Sequence, residues 1–133
     1  MKKILASLVI SAVGVFGVDY FSHLVFSSPM ETLPYFWAKA TLYFVFSLIF
    51  LSVTRREKHE FRAVLLGGIT VALIWGAYYN ILPELFNYYP FGIALYGLTF
   101  LGMGLCGTGL AFGIVHTLAF VGGYYVSKIV ARI

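Results

Sequence analysis

From Ile4 to Phe26 the chain runs for 23 residues in which only Asp19 and His23 carry acidic or basic side chains. As a helix rising 1.5 Å per residue, such a run measures about 34 Å, enough to cross a hydrocarbon core of about 30 Å. Further runs of similar character follow, and a soluble domain could not bury them all. Hydrophobic residues make up 61% of the chain and charged residues 11%, against roughly 45–50% and about 25% in soluble domains. A soluble globule is thereby excluded, and the lipid bilayer is the solvent that fits. The start, Met1-Lys2-Lys3 before an apolar stretch, also has the form of a secretory signal peptide. Because the apolar run continues through Tyr20, Phe21, Leu24, Val25 and Phe26, residues 4–26 are read as a retained first span.

Prolines, glycines and charges punctuate the rest. Pro29, Glu31 and Pro34 break the chain before a second span over 35–53, which Tyr35, Phe36 and Trp37 open in the manner of an interfacial aromatic belt. Thr54 to Arg62 is strongly polar, with four Lys or Arg in nine residues. A third span is expected over 63–82, with Trp75, Tyr78, Tyr79 and Asn80 at a second interface, and Pro83 to Pro90 as a loop without basic residues. Phe91 to Ser127 then offers 37 residues whose only acidic, basic or histidine side chain is His116. A single helix of that length would measure about 55 Å, so a break is needed, and the four glycines between Gly102 and Gly109 supply it.

The expected fold is therefore all-α, one polytopic transmembrane helix bundle over 1–133. It has four crossings (4–26, 35–53, 63–82 and 108–130), with 90–106 as a re-entrant or interfacial piece. The alternative counts 90–106 as a fifth span, although it is short for a full crossing. Short basic loops resist translocation, so the amino terminus and the 54–62 loop are expected in the cytoplasm. Four crossings place Lys128 and Arg132 there too; five would place them outside. The net charge of +4 is thus an orientation signal, with the basic residues at the ends of apolar runs rather than on a nucleic-acid-binding face. Glu57-Lys58-His59-Glu60 is expected as a solvated face that could touch anionic lipid. Cys106, the only cysteine, can form neither a disulfide within the chain nor a cysteine-based zinc site.

Small residues at helical spacing point to close packing. Gly109, Gly113 and Thr117 form one such face, and Ser7, Ser11 and Gly14 another. Ionisable groups at membrane depth carry more information, because each costs roughly 2.5–3.5 kcal/mol at a span centre and so faces protein or water. Asp19, His23, Lys39 and His116 form this candidate intramembrane cluster. Asp19 lies about 22 Å along the first span and Lys39 enters the second from the same side, so an ion pair between them is geometrically easy.

Asp19-x-x-x-His23 sets two potential ligands on one helix face. With four crossings His116 reaches a similar depth, so Asp19, His23 and His116 are a candidate transition-metal set suited to Fe, Cu or Zn. The run resembles the copper-ligand stretch of the small subunit of membrane methane and ammonia monooxygenases. Phe36 stands where that family has a further histidine, so the resemblance carries no function over to this chain. Ala111, Gly113, Ala119, Gly122 and Gly123 are expected to leave room beside His116, which could ligate a tetrapyrrole.

No phosphate-binding Gly-rich loop with its lysine, no Ser-His-Asp arrangement and no HExxH motif is present, so enzyme is the minority reading. The favoured function is a binding or structural subunit, working as a homo-oligomer or in a larger membrane complex. Its partners are membrane lipid and itself or other membrane subunits, not nucleic acid. A small homo-oligomeric transporter or channel for a proton, cation or small solute is the alternative, and a metal- or cofactor-dependent membrane enzyme the third.

Overall fold

The structure, a computed structural model, describes residues 1–26, 33–54, 59–86 and 108–132, with the side chains of 22, 25, 26, 33–35, 77–86 and 108–112 outside the description. Among the described residues every element is an α-helix: α1 (Lys2–Phe26), α2 (Leu33–Val53), α3 (Glu60–Phe86) and α4 (Thr108–Ala131). The segment 90–106 lies outside the described residues. Helix is the form in which an apolar segment satisfies its own backbone. Threonines within the helices fit it too, because Thr41, Thr70 and Thr117 each donate to the carbonyl one turn back, at 2.8, 2.8 and 2.7 Å. Pro34 sits in the first turn of α2, where a missing N–H is harmless. Among the described residues Lys2–Phe21, Phe36–Val53 and Gly113–Ala131 are long and apolar enough to cross a membrane.

Two boundaries differ from expectation. Helix α3 begins at Glu60 and continues through Pro83 to Phe86 instead of ending at Leu82. A proline forfeits one hydrogen bond but does not forbid the next turn, and helices in lipid tolerate it more readily than those in water.

The helices form a square. Neighbours in sequence are neighbours in space, α1 with α2, α2 with α3, α3 with α4, and α4 closes back on α1. Paired positions give the directions. On α1 and α4, Ile10 meets Gly123 and Gly17 meets Ala119, so those helices are antiparallel. Gly68 against Thr117 and Glu60 against Lys128 make α3 and α4 antiparallel as well. Across the diagonal the numbers rise together, Tyr43 with His116, Phe46 with Phe120 and Phe50 with Tyr124, so α2 and α4 are parallel. This is the up-down-up-down arrangement of a four-helix bundle.

Inward faces are marked by small and polar residues more than by apolar ones. The buried stripes carry Ser7, Ser11 and Val18 on α1, Lys39, Tyr43 and Ser47 on α2, Val64, Val71 and Trp75 on α3, and His116, Phe120 and Ser127 on α4. Large apolar side chains such as Leu8, Phe16, Ile49, Leu66 and Ile129 point outward, as expected where the solvent is itself hydrocarbon. Glycines set the close approaches. A Cβ added at Gly123 would lie 3.1 Å from the Ile10 backbone, and one at Gly68 2.9 Å from the Thr117 carbonyl oxygen. Gly113, expected on a packing face, has nothing within 4 Å of its Cβ position. Its neighbour in that motif, Thr117, packs on Gly68, while Gly109 falls outside the residues whose surroundings are described.

The α2–α3 side is the loosest of the four. It is closed by Phe50 lying over Gly67 and by Lys39 reaching Trp75. Between them an apolar groove of about 530 Å³, walled by Trp37, Thr41, Val45, Ile74 and Trp75, opens sideways.

Candidate functional site

Each of the four helices contributes to one polar network in the half of the bundle away from Glu60. Asp19 comes from α1, Lys39 and Tyr43 from α2, Trp75 from α3 and His116 from α4. Lys39 and Tyr43 are one turn apart and therefore share a face, the one that α2 turns toward the diagonal.

The Lys39 ammonium donates to Asp19 Oδ1 at 2.8 Å, with side chains 1% and 22% exposed respectively. The same ammonium lies 5.3 Å from the centre of the Trp75 ring, close enough for the ring's negative face to stabilise the charge. The lysine is thus held by a carboxylate on one side and an aromatic face on the other. A buried ammonium without such partners would be strongly unfavourable in this environment.

Tyr43 and His116 form the second pair. The Tyr43 hydroxyl lies 2.7 Å from His116 Nδ1 and 3.4 Å from the His116 carbonyl, and the two rings stack with centres 6.0 Å apart. In the neutral tautomer that carries its proton on Nε2, the tyrosine hydroxyl donates to Nδ1. Trp75 flanks the histidine at 6.4 Å, linking this pair to the lysine. Tyr43 itself lies over Gly14, where an added Cβ would come within 2.6 Å of the ring. One turn along α1, the Ser11 hydroxyl donates to the Ala40 carbonyl at 2.8 Å. Chemically the network can hold a charge at low dielectric, fix the register of four helices, and share a proton between a phenol and an imidazole.

Of the four residues singled out from sequence, Asp19 and Lys39 are in contact, and His116 joins them through Trp75 and Tyr43. His23 is exposed, one turn beyond Asp19 on α1. Among the described residues no three histidine, cysteine, aspartate or glutamate side chains gather as a metal site, so Asp19, His23 and His116 do not form the expected ligand set. Asp19 Oδ1 is instead bonded to Lys39, and His116 Nδ1 to Tyr43. Beside His116 lie the rings of Tyr43 and Trp75, with centres at 6.0 and 6.4 Å, while Gly113 and Gly122 face open space.

Two residues of the network were not singled out from sequence. Tyr43 is one tyrosine among 10, with 13 phenylalanines beside them, and only its position one turn after Lys39 sets it apart. Trp75, expected at an interface, is 5% exposed and faces the core.

At the opposite end Glu60, in the stretch expected as a solvated face, is 40% exposed and also bonded to α4, while Glu57 and Lys58 lie outside the described residues. The Glu60 Oε1 accepts from the Tyr124 hydroxyl at 2.7 Å, and Lys128 donates to both carboxylate oxygens at 2.7 and 2.8 Å. The start of α3 is thereby fastened to the end of α4. Comparison of the chain with protein-family models, characterised proteins and solved structures finds no match.

Proposed function

We propose that this chain is a multi-pass membrane protein working as a binding or structural subunit, as a homo-oligomer or within a larger membrane complex. The observation that carries this reading is how the polar residues at membrane depth are used. Lys39 with Asp19 and Tyr43 with His116 satisfy one another inside the bundle, which holds four helices in register. The grooves beside α2 are apolar and open sideways toward the surroundings. That is the chemistry of a scaffold, with large apolar faces for lipid or neighbouring helices.

In this proposal the chain crosses four times, with the amino terminus, the 54–62 loop and the carboxyl end in the cytoplasm. The antiparallel course of α1 and α4 supports an even count. Lys128 at the end of α4 pairs with Glu60 at the start of α3, which sets it at the same end as Arg62, as the positive-inside rule favours. Native electrophoresis of gently solubilised membranes, with residue-specific photocrosslinking from the outward face of α2, tests the subunit reading. The expected result is a band well above the single chain of 14.8 kDa and a crosslinked partner, whether a second copy or another protein. A chain that migrates alone and crosslinks only to lipid overturns it.

A second reading, a small transporter for a cation, proton or solute, is favoured by the partial exposure of the Asp19 side chain, 22% against 1% for Lys39. A carboxylate within reach of the surroundings can load and release a cation.

A further inference from the structure

Ser7 and Ser47 are both fully buried, and neither hydroxyl has a hydrogen-bond partner among the described residues. This is unusual within the chain itself. Thr41, Thr70 and Thr117 turn their hydroxyls back onto their own helices, the ordinary way to satisfy such a group in a helix. Ser7 and Ser47 make no such bond. An unsatisfied buried hydroxyl costs about 1–3 kcal/mol, and inside a membrane no bulk water relieves it.

Their placement gives the orphan hydroxyls meaning. Ser7 lies one turn before Ser11, which bonds across to α2, and Ser47 one turn after Tyr43, which lies over Gly14 on α1. Because α1 and α2 are antiparallel, both steps lead the same way, from the Asp19–Lys39 pair toward the Glu60 end. Along one interior seam the order is then Asp19, Lys39, the Tyr43–His116 pair, Ser47 and Ser7. Asp19 and Ser7 are 12 positions apart, about 18 Å of helix and more than half of a hydrocarbon core. The titratable groups that face this seam come from three helices, Asp19 from α1, Lys39 and Tyr43 from α2 and His116 from α4; α3 contributes the Trp75 ring.

We infer that Ser7 and Ser47 hold buried water, and that this water extends the Asp19–Lys39–Tyr43–His116 network into a proton-conducting file through the interior of a single chain. A buried water typically makes about three hydrogen bonds to groups that otherwise lack them, and two orphan hydroxyls on one seam are such groups. Protons enter at the partly exposed Asp19 and pass along hydrogen bonds that the water completes between the Asp19–Lys39 pair, the Tyr43–His116 pair and the two serines, each group releasing one proton as it accepts the next, so no net chemistry is required. The inference deepens the transport reading by naming the proton as the moving species. Its test is separate from the subunit reading, because flux and native mass are measured independently.

The experiment places purified full-length protein in vesicles loaded with a pH-sensitive dye and imposes a potassium diffusion potential. Proton flux severalfold above protein-free vesicles is expected, falling toward background in the Ser7→Ala, Ser47→Ala double variant while its thermal midpoint stays near that of the parent. Flux equal to empty vesicles, or flux retained by the double variant, overturns the proposal. Should the variant fail to fold, water-edited solid-state NMR of the parent protein decides. Ser7 and Ser47 are expected to receive magnetisation from water faster than buried Ile10 and Val15 of α1; equal rates overturn the file.

Discussion

The two ends of the bundle each hold a lysine–carboxylate pair at nearly the same distance, 2.8 Å for Lys39 with Asp19 and 2.7 Å for Lys128 with Glu60. Their surroundings differ. The first pair is 1% and 22% exposed, the second 39% and 40%. Near the surface, water solvates either partner when the other is removed, so the bond adds little. In the interior the Lys39 ammonium, 1% exposed, lacks that refuge, and removing Asp19 strands it. Distance alone therefore ranks the pairs as equals, whereas burial makes one a requirement of the fold and the other a fastening.

The comparison can be broken most directly at Asp19. Asp19→Asn leaves the Lys39 ammonium buried without its counter-charge and is expected to destabilise by about 3–5 kcal/mol. Asp19→Asn with Lys39→Met is expected to recover part of that loss, because neither charge is then stranded. Thermal unfolding of the detergent-solubilised single and double variants measures both. A double variant no more stable than the single one would show that the pair is not what holds the site.

A smaller effect is expected one turn further along α2. Tyr43→Phe keeps the ring over Gly14 but removes the partner of His116 Nδ1, with an expected loss of about 1–3 kcal/mol. The parallel change at the other end, Tyr124→Phe, should cost less, since Glu60 keeps both hydrogen bonds from Lys128. Equal losses in the two variants would remove the distinction between the ends.

Smallest of all is Glu60→Gln, expected to lower stability by under about 1 kcal/mol, with the difference shrinking as salt is raised. A larger, salt-independent loss would mean that the Glu60 pair also works as a buried one.

The helices were legible in the sequence because length and apolarity decide whether a segment can span a bilayer, and all four expected spans fall within helices of closely similar extent. Which face of each helix turns inward was harder to read. In a chain apolar on every side, hydrophobic periodicity distinguishes little, and the signal passes to small and polar residues. Ser11 and Gly14 were legible on that basis, and both meet α2. Gly113 has no neighbour among the described residues at its Cβ position, because a small residue permits close approach without requiring it, and α4 makes its close approaches at Thr117 and Gly123.

At the site, the cost of burying charge was enough to bring Asp19 and Lys39 together on paper. Tyr43 offered no such cost, since a tyrosine is at home both in a core and at an interface. Trp75 was misplaced for the same reason, with its partner Lys39 36 positions away in the chain. Glu60 sits in a run of charges where solvation is the ordinary outcome, and only the fold brings Tyr124 and Lys128 to it.

The loosely closed α2–α3 side has a mechanical consequence. A square with three zipped edges and one laced by two long side chains is stiff in shear along the zipped edges and compliant across the fourth. Lateral pressure in the bilayer, pushing equally from all sides, is then answered unequally. Swinging α2 away from α3 would first slide the Lys39 ammonium off the Trp75 face and the Phe50 ring off Gly67, while the Asp19 bond to the same lysine acts as the tether that limits the swing. The compliance of that edge is therefore governed by Lys39 and Phe50, and its limit by the Asp19 bond.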